Sequence, residues 1–200
     1  MTGKPRKTRG QRKATPKYLE NAALHYLGRF ATSAENLKRV LMRKVENSAR
    51  AHGTDREEGR ACVENLVRRF AASGLIDDRA YAAARATTLH RRGASARAIG
   101  MKLREKGVEA AIIAGAVATL APEGGDAELK AAVNLARRRR LGPFRAPDRK
   151  SGNRKVQAKE KAKEREKQMA ALARAGFSFD IARKVIDAES ADDLDDLIGT

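Results

Sequence analysis

Gly74-Leu75-Ile76-Asp77-Asp78-Arg79-Ala80-Tyr81-Ala82 is the stretch on which the reading of this chain turns. Its glycine suits the left-handed position that ends a helix, because no Cβ opposes a positive φ there. Leu75 and Ile76 form an apolar plug, and Asp77 caps a new helix by accepting from its free first-turn amides. The same grammar runs upstream. Leu19, Ala22, Ala23, Tyr26, Leu27 and Phe30 fall at helical spacing. Thr32-Ser33-Ala34-Glu35 offers a capping box to a helix carrying Leu37, Val40, Leu41 and Val45. Thr54 and Glu57 repeat that pattern before a helix with Cys62, Val63, Leu66, Val67 and Phe70. Downstream, the helix begun at Asp77 stops at Gly93, and Ser95 caps another with Ile99 and Leu103 inward and Gly107 at its end. Ala110 to Leu120 is helical until Pro122, and Asp126 caps a helix over 127–140. Residues 142–153 read as a loop, a charged helix runs from Arg154 to Ala175 until Gly176, and a last helix covers Phe179 to Ala188.

Two of these segments superimpose. Leu103-x-x-x-Gly107-Val108 with Ile112 and Val117 lies over Leu172-x-x-x-Gly176-Phe177 with Ile181 and Ile186, so apolar residues follow each glycine at the same offsets. Ser33 and Ser95 stand 62 residues apart, and Gly107 and Gly176 stand 69 apart. The chain therefore reads as all-α, with three helical triplets over roughly 18–74, 77–121 and 126–188. A triplet of this size cannot bury its own faces, so neighbours stack, and an elongated array is expected. The boundaries expected are a disordered basic arm 1–16, repeats over 17–75, 76–122 and 123–189, and an acidic tail 190–200.

Composition agrees with helices. Aromatics are 4% of 200 residues and Trp is absent, which disfavours sheets, while 42% apolar residues suffice for a core. The longest apolar run, Ala110 to Ala121, is too short to cross ~30 Å of hydrocarbon, and no apolar stretch follows the basic N-terminus. A single cysteine, Cys62, fits a reducing compartment, so a cytoplasmic monomer away from membranes is expected. The net charge of +18 is concentrated. Residues 1–17 hold seven basic side chains and no acid, and 137–167 hold fourteen against Asp148, Glu160, Glu164 and Glu166. The end reverses sign, with Asp187, Glu189, Asp192, Asp193, Asp195 and Asp196 and no basic neighbour among them. Two basic blocks point to a polyanion or an acidic protein surface as partner.

Catalytic patterns are missing from the sequence. His25, His52 and His90 are isolated, Cys62 takes an inward helical position, and no second cysteine supports a zinc site. Gly124-Gly125 is a turn rather than a phosphate loop. Asp77 and Asp78 are adjacent and do not share a helix face. No catalytic residue, metal or cofactor is expected. Tyr26, Phe30, Phe70, Tyr81 and Phe177 fall at inward or junction positions, leaving Phe144 as the aromatic in an exposed basic stretch. Any binding of single-stranded DNA should thus be electrostatic and sequence-tolerant. A helix-turn-helix transcriptional regulator would need base-reading Arg, Asn or Gln at the start of a recognition helix, whereas these basic residues lie on several helices and in tails.

The junction Gly74-Leu75-Ile76-Asp77-Asp78-x-x-Tyr81-Ala82, the later Leu103-Arg104-x-Lys106-Gly107-Val108 and the closing Ala175-Gly176-Phe177-Ser178-x-Asp180-x-Ala182 together resemble the regulatory protein RecX family, over about 17–188. The arm 1–16, the lengthened segment 142–167 and the acidic end 187–200 depart from the simplest family pattern. The resemblance implies a non-enzymatic regulator that lies in the groove of the RecA–DNA filament. Such a protein would restrain filament growth, ATP hydrolysis, strand exchange and co-protease activity in recombinational DNA repair and the SOS response. The residues expected to contact that partner are Arg91, Arg92, Arg97, Lys102, Arg104 and Lys106 on the second repeat, and Arg137, Arg138, Arg139 and Arg140 on the third.

Overall fold

The computed structural model describes residues 12–120, 126–145 and 154–199, the side chains of 154–158 excepted. The described residues are helical, with no strand among them. They form tandem three-helix repeats: α1 (Pro16–Leu27), α2 (Ala34–His52) and α3 (Arg56–Ala72), then α4 (Asp78–Arg91), α5 (Ala96–Glu105) and α6 (Ala110–Ala118), then α7 (Ala127–Arg139), α8 (Arg154–Arg174) and α9 (Phe179–Ile186). A 3-10 turn covers Gly142–Phe144, and α10 (Ala191–Leu197) follows the third triplet. By their contacts the described residues divide into two units, one of 12–81 with Lys106–Val108, the other of 82–105 with the remainder from Glu109 on.

In the first unit the apolar spacing of α1, α2 and α3 converges on Leu19, Leu37, Leu41, Val45 and Val63, all fully buried. Each such side chain contributes about 1.5–3 kcal/mol on leaving water. The helices α2 and α3 approach closely because Gly59 is small: a Cβ there would overlap Val45 Cγ1. Ile76 is buried in this core, but its neighbour Leu75 is 48% exposed, so only half of the expected plug is inserted. Asp77 caps α4 as expected, its Oδ1 accepting from the Arg79 and Ala80 amides.

Two capping assignments shift by one residue. Ser33, not Thr32, caps α2, accepting from the Asn36 amide, while Thr32 Oγ1 accepts from the Asn36 side chain and Glu35 pairs with Arg39. Asp55, not Thr54, caps α3 with two amide bonds at 2.8 Å, since a carboxylate is the stronger acceptor. Thr54 instead meets Ser48 Oγ at 2.6 Å.

The expected disordered arm lies outside the described residues as far as 11, and its last part is ordered. Ala14 is buried and donates its amide to Ser48 Oγ, Thr15 caps α1, and Pro16 opens it at a position that needs no N–H. The expected loop 142–153 lies outside the described residues from 146, as do Pro122 and the Gly124-Gly125 turn.

The internal repeat reappears as a recurring hydrogen-bond set. In the first unit, Ser33 Oγ donates to the Lys106 carbonyl, and the Ala34 amide donates to Asp78 Oδ1 at 2.8 Å. In the second, Ser95 Oγ donates to the Ala175 carbonyl at 2.7 Å, and the Ala96 amide donates to Glu128 Oε2 at 3.1 Å. Each carbonyl immediately precedes a left-handed glycine, Gly107 at φ 75° and Gly176 at φ 96°. A Cβ at either would come within 2.6 Å of the facing side chain, Glu35 Cβ or Ser95 Oγ. Glycine is therefore required twice over, for its backbone conformation and for the close approach.

The second unit's core gathers the buried face of α7 (Leu129, Ala132, Val133, Ala136), the end of α8 (Met169, Leu172), Phe177, and Ala182 and Val185 of α9. Phe179 to Ala188 is not the last helix. The acidic end folds as α10, with Ser190 and Asp193 in a reciprocal capping box and Leu194 fully buried in the same core. Leu194, with Ile198 packed partly buried beside the same core, draws this largely acidic segment onto the protein.

Candidate functional site

The basic run at the end of α7 follows from how that helix is built. Asp126 caps its start, accepting from the Leu129 amide at 3.0 Å, and Glu128 sits in the first turn. Arg137, Arg138 and Arg139 fill the last turn, where cations suit the negative end of the helix dipole. Because the face from Leu129 to Ala136 is buried, Arg137 to Arg140 emerge together at the exposed tip. Arg140 closes the helix at φ 56°, the sole non-glycine residue with positive φ among those described, and Leu141 donates back to the Ala136 carbonyl at 2.9 Å.

Beyond the tip, the 3-10 turn places Phe144 under Arg137, with the guanidinium 5.1 Å from the ring centroid. Arg137 also donates to Asp195 Oδ1 of α10. Phe144 was expected in an exposed basic stretch; it packs instead against the second unit's core and is partly sheltered. The turn is anchored by buried Gln168, whose Oε1 accepts from the Gly142 amide at 2.7 Å. Beside it opens a cleft of about 890 Å³, bordered by Arg145, Lys161, Lys163, Arg165 and Lys167 with Glu160 and Glu164. Arg145 bridges to Glu164 at 3.2 Å. Arg165 grips Asp187 through two bonds of 2.5 and 2.6 Å, and that hydrogen bonding holds the Asp187 carboxyl below its ordinary 3.8. The acidic end thus has basic neighbours in space, Arg165 and Arg137, that it lacks in sequence.

The other expected contact residues are dispersed. Arg91 ends α4 and Arg92 follows it; Arg97 and Arg104 lie seven apart on one face of α5, with Lys102 off that face. All five are exposed and without an ion-pair partner among the described residues. Lys106 belongs to the first unit, its Nζ 3.3 Å from Asn36 Oδ1, while the other nine belong to the second. The sequence reading missed the cleft lysines as a group, Phe144 as a support, and Asp195 as a partner of Arg137. Asp78, next to the capping Asp77, has a bond of its own from the Ala34 amide. Phe30, expected inward, is 51% exposed and meets Tyr26 with the rings tilted by 45° and their centroids 5.2 Å apart.

His90 is a tether, its Nε2 2.7 Å from the Ala127 carbonyl, and Cys62 is half-buried against the first unit's core. Among the described residues no three His, Cys, Asp or Glu side chains come together as a metal site, and no helix is long and apolar enough to cross a membrane. What the arrangement offers is a cationic edge on a rigid helix end, suited to phosphates or carboxylates.

Comparison with known proteins adds what geometry cannot. The family model for the second three-helix domain of RecX matches residues 77–117. The regulatory protein RecX of Myxococcus xanthus (strain DK1622) is 47% identical over 189 residues, covering 94% of each chain. That of Agrobacterium fabrum (strain C58 / ATCC 33970) is 32% identical over 179 residues, covering 88% of this chain and 87% of its own. A crystal structure of regulatory protein RecX matches with a TM-score of 0.57 at 22% identity, over 86% of this chain and 72% of that one, which shows a common fold. Repeats, junction motifs and whole-length identity agree, and the chain belongs to the regulatory protein RecX family.

Proposed function

We propose that this protein is a non-enzymatic regulator that binds the RecA recombinase filament and restrains its growth. Lower ATP hydrolysis, strand exchange and co-protease activity would follow from shorter filaments, in the setting of recombinational repair and the SOS response in the cytoplasm. The observation that carries this reading is the 47% identity to a regulatory protein RecX across nearly the whole chain. The geometry supports it in two ways. Tandem repeats suit a repetitive partner, since units that recur along the chain can match sites that recur along a filament. The Arg137–Arg140 tip and the α5 basic residues present cations that a polyanionic or acidic partner would neutralise.

Co-sedimentation with preformed recombinase filaments, beside naked single-stranded DNA and at two salt concentrations, tests the reading. Pelleting with filaments at salt that abolishes binding to naked DNA is expected, together with suppression of DNA-dependent ATP hydrolysis below equimolar protein. Unchanged hydrolysis and strand exchange at equimolar protein would refute it. Pelleting with naked DNA alone, without regard to base sequence, would leave a sequence-tolerant DNA-binding protein.

A further inference from the structure

The chain's acidic end lies on its most concentrated basic edge, and both sides of that contact are built for release. Arg137 is held by the Phe144 ring on one side and the Asp195 carboxylate on the other. Arg140 keeps a guanidinium at a left-handed position that glycine fills at the other such sites among the described residues. A glycine would hold that turn with less strain, so the side chain is retained against a backbone cost. On the other side, α10 has seven residues, well short of the ~12–15 at which an isolated helix persists in water. Its Asp195 and Asp196 stand in the last turn, where carboxylates oppose the helix dipole. The helix is therefore sustained by its docking, through buried Leu194 and the Asp195–Arg137 contact.

We propose that α10 is an autoinhibitory latch on the arginine tip of α7, displaced when the phosphates of a single-stranded nucleic acid take Arg137. The inference rests on reading that tip as a contact surface, as above. Arg137 to Arg140 fan around the helix end rather than along one face, and Arg138, Arg139 and Arg140, free of ion-pair partners among the described residues, leave guanidiniums there for the phosphates of a strand. Guanidinium forks bind phosphate well, and counterion release drives the exchange. The 142–145 turn also borders the cleft, where Lys161, Lys163 and Lys167 stand beside Glu160 and Glu164.

The test measures binding of full-length protein to a labelled oligothymidylate by fluorescence anisotropy at low and high salt. Asp195→Asn is compared with Asp192→Asn, which removes the same charge from an exposed residue without an ion-pair partner among those described. Asp195→Asn should tighten binding about two- to five-fold at low salt, as loss of one competing surface ion pair permits, and more than Asp192→Asn does. The gap should close at high salt, and it should vanish in an Arg137→Ala background. Saturating oligothymidylate should also speed amide exchange across 191–197 while leaving 179–186 unchanged, a readout that needs no variant. Equal effects of the two Asp variants, or unaltered exchange at 191–197, would overturn the latch. If replacing Arg137–Arg140 by Ala leaves strand binding intact, the tip is not the surface and the proposal falls with it. If those replacements abolish binding while Asp195→Asn gains nothing, the latch alone fails. Tightening seen with polyglutamate but not with oligothymidylate would overturn the strand as its ligand.

Discussion

Replacing Ser95 by Ala removes one fully buried hydroxyl that serves two groups at once. It caps α5 by accepting from the Ala98 amide at 3.2 Å, and it donates to the Ala175 carbonyl at 2.7 Å. Loss of an N-cap costs about 1 kcal/mol. Leaving the half-buried Ala175 carbonyl without its donor costs roughly 1–3 kcal/mol more. Ser95→Ala should therefore cost about 2–4 kcal/mol. Ser95→Gly separates the two parts, because glycine is worse than serine at an N-cap by only a few tenths of a kcal/mol. It should retain the carbonyl penalty and recover most of the cap. Urea unfolding followed by circular dichroism at the helix band reads both variants, with the Ala variant less stable than the Gly variant by roughly 0.5–1 kcal/mol. A Ser95→Ala cost below ~0.5 kcal/mol would show that the Ala175 carbonyl does not depend on this donor. The recurring joint would then be a coincidence of spacing and not a device that holds repeats together.

Gly93→Ala and Gly74→Ala test the close approach of backbones. Both glycines have positive φ, but a Cβ at Gly74 meets open space while one at Gly93 would lie 2.5 Å from the Leu135 amide nitrogen and 2.8 Å from its Cα. Gly74→Ala should cost ~1 kcal/mol from the backbone alone, and Gly93→Ala about 1–3 kcal/mol more; equal shifts in urea midpoint would contradict the packing of α7 on that turn. For pH, the Asp187 carboxyl is held below 3.8 by its hydrogen bonds from Arg165. A carboxylate depressed in the folded state contributes stability above its unfolded value, lost as pH falls from about 3.8 through the folded value. NMR titration of Asp187 should place its midpoint below 3.8 and Arg165→Ala should return it there; the same midpoint in both proteins would deny the pair.

How much of this was legible beforehand depends on the range over which each signal acts. Asp77, Ser95 and Asp126 announce helix starts because an N-cap bonds amides two or three residues away, and all three do so. Gly107 and Gly176 announce helix ends because left-handed backbone is a property of the residue itself. The offsets of apolar residues after those glycines revealed tandem units, since repeated packing needs repeated spacing. The arginine tip was legible as composition, but its surroundings were not. Phe30 and Phe144 exchanged their expected roles, because periodicity identifies an apolar face and not what is available to cover it.

By itself the sequence determined that the chain is helical, where most helices begin and end, that its units repeat and where its charge lies. Only the tertiary structure decided that Asp78 and Glu128 accept the Ala34 and Ala96 amides, that Gln168 anchors the turn beneath Phe144, and that Asp187 and Asp195 reach Arg165 and Arg137. These pairings join groups 22 to 58 residues apart. A hydrogen bond or ion pair of that reach is made by whichever groups the packed helices bring together, and no local propensity encodes it.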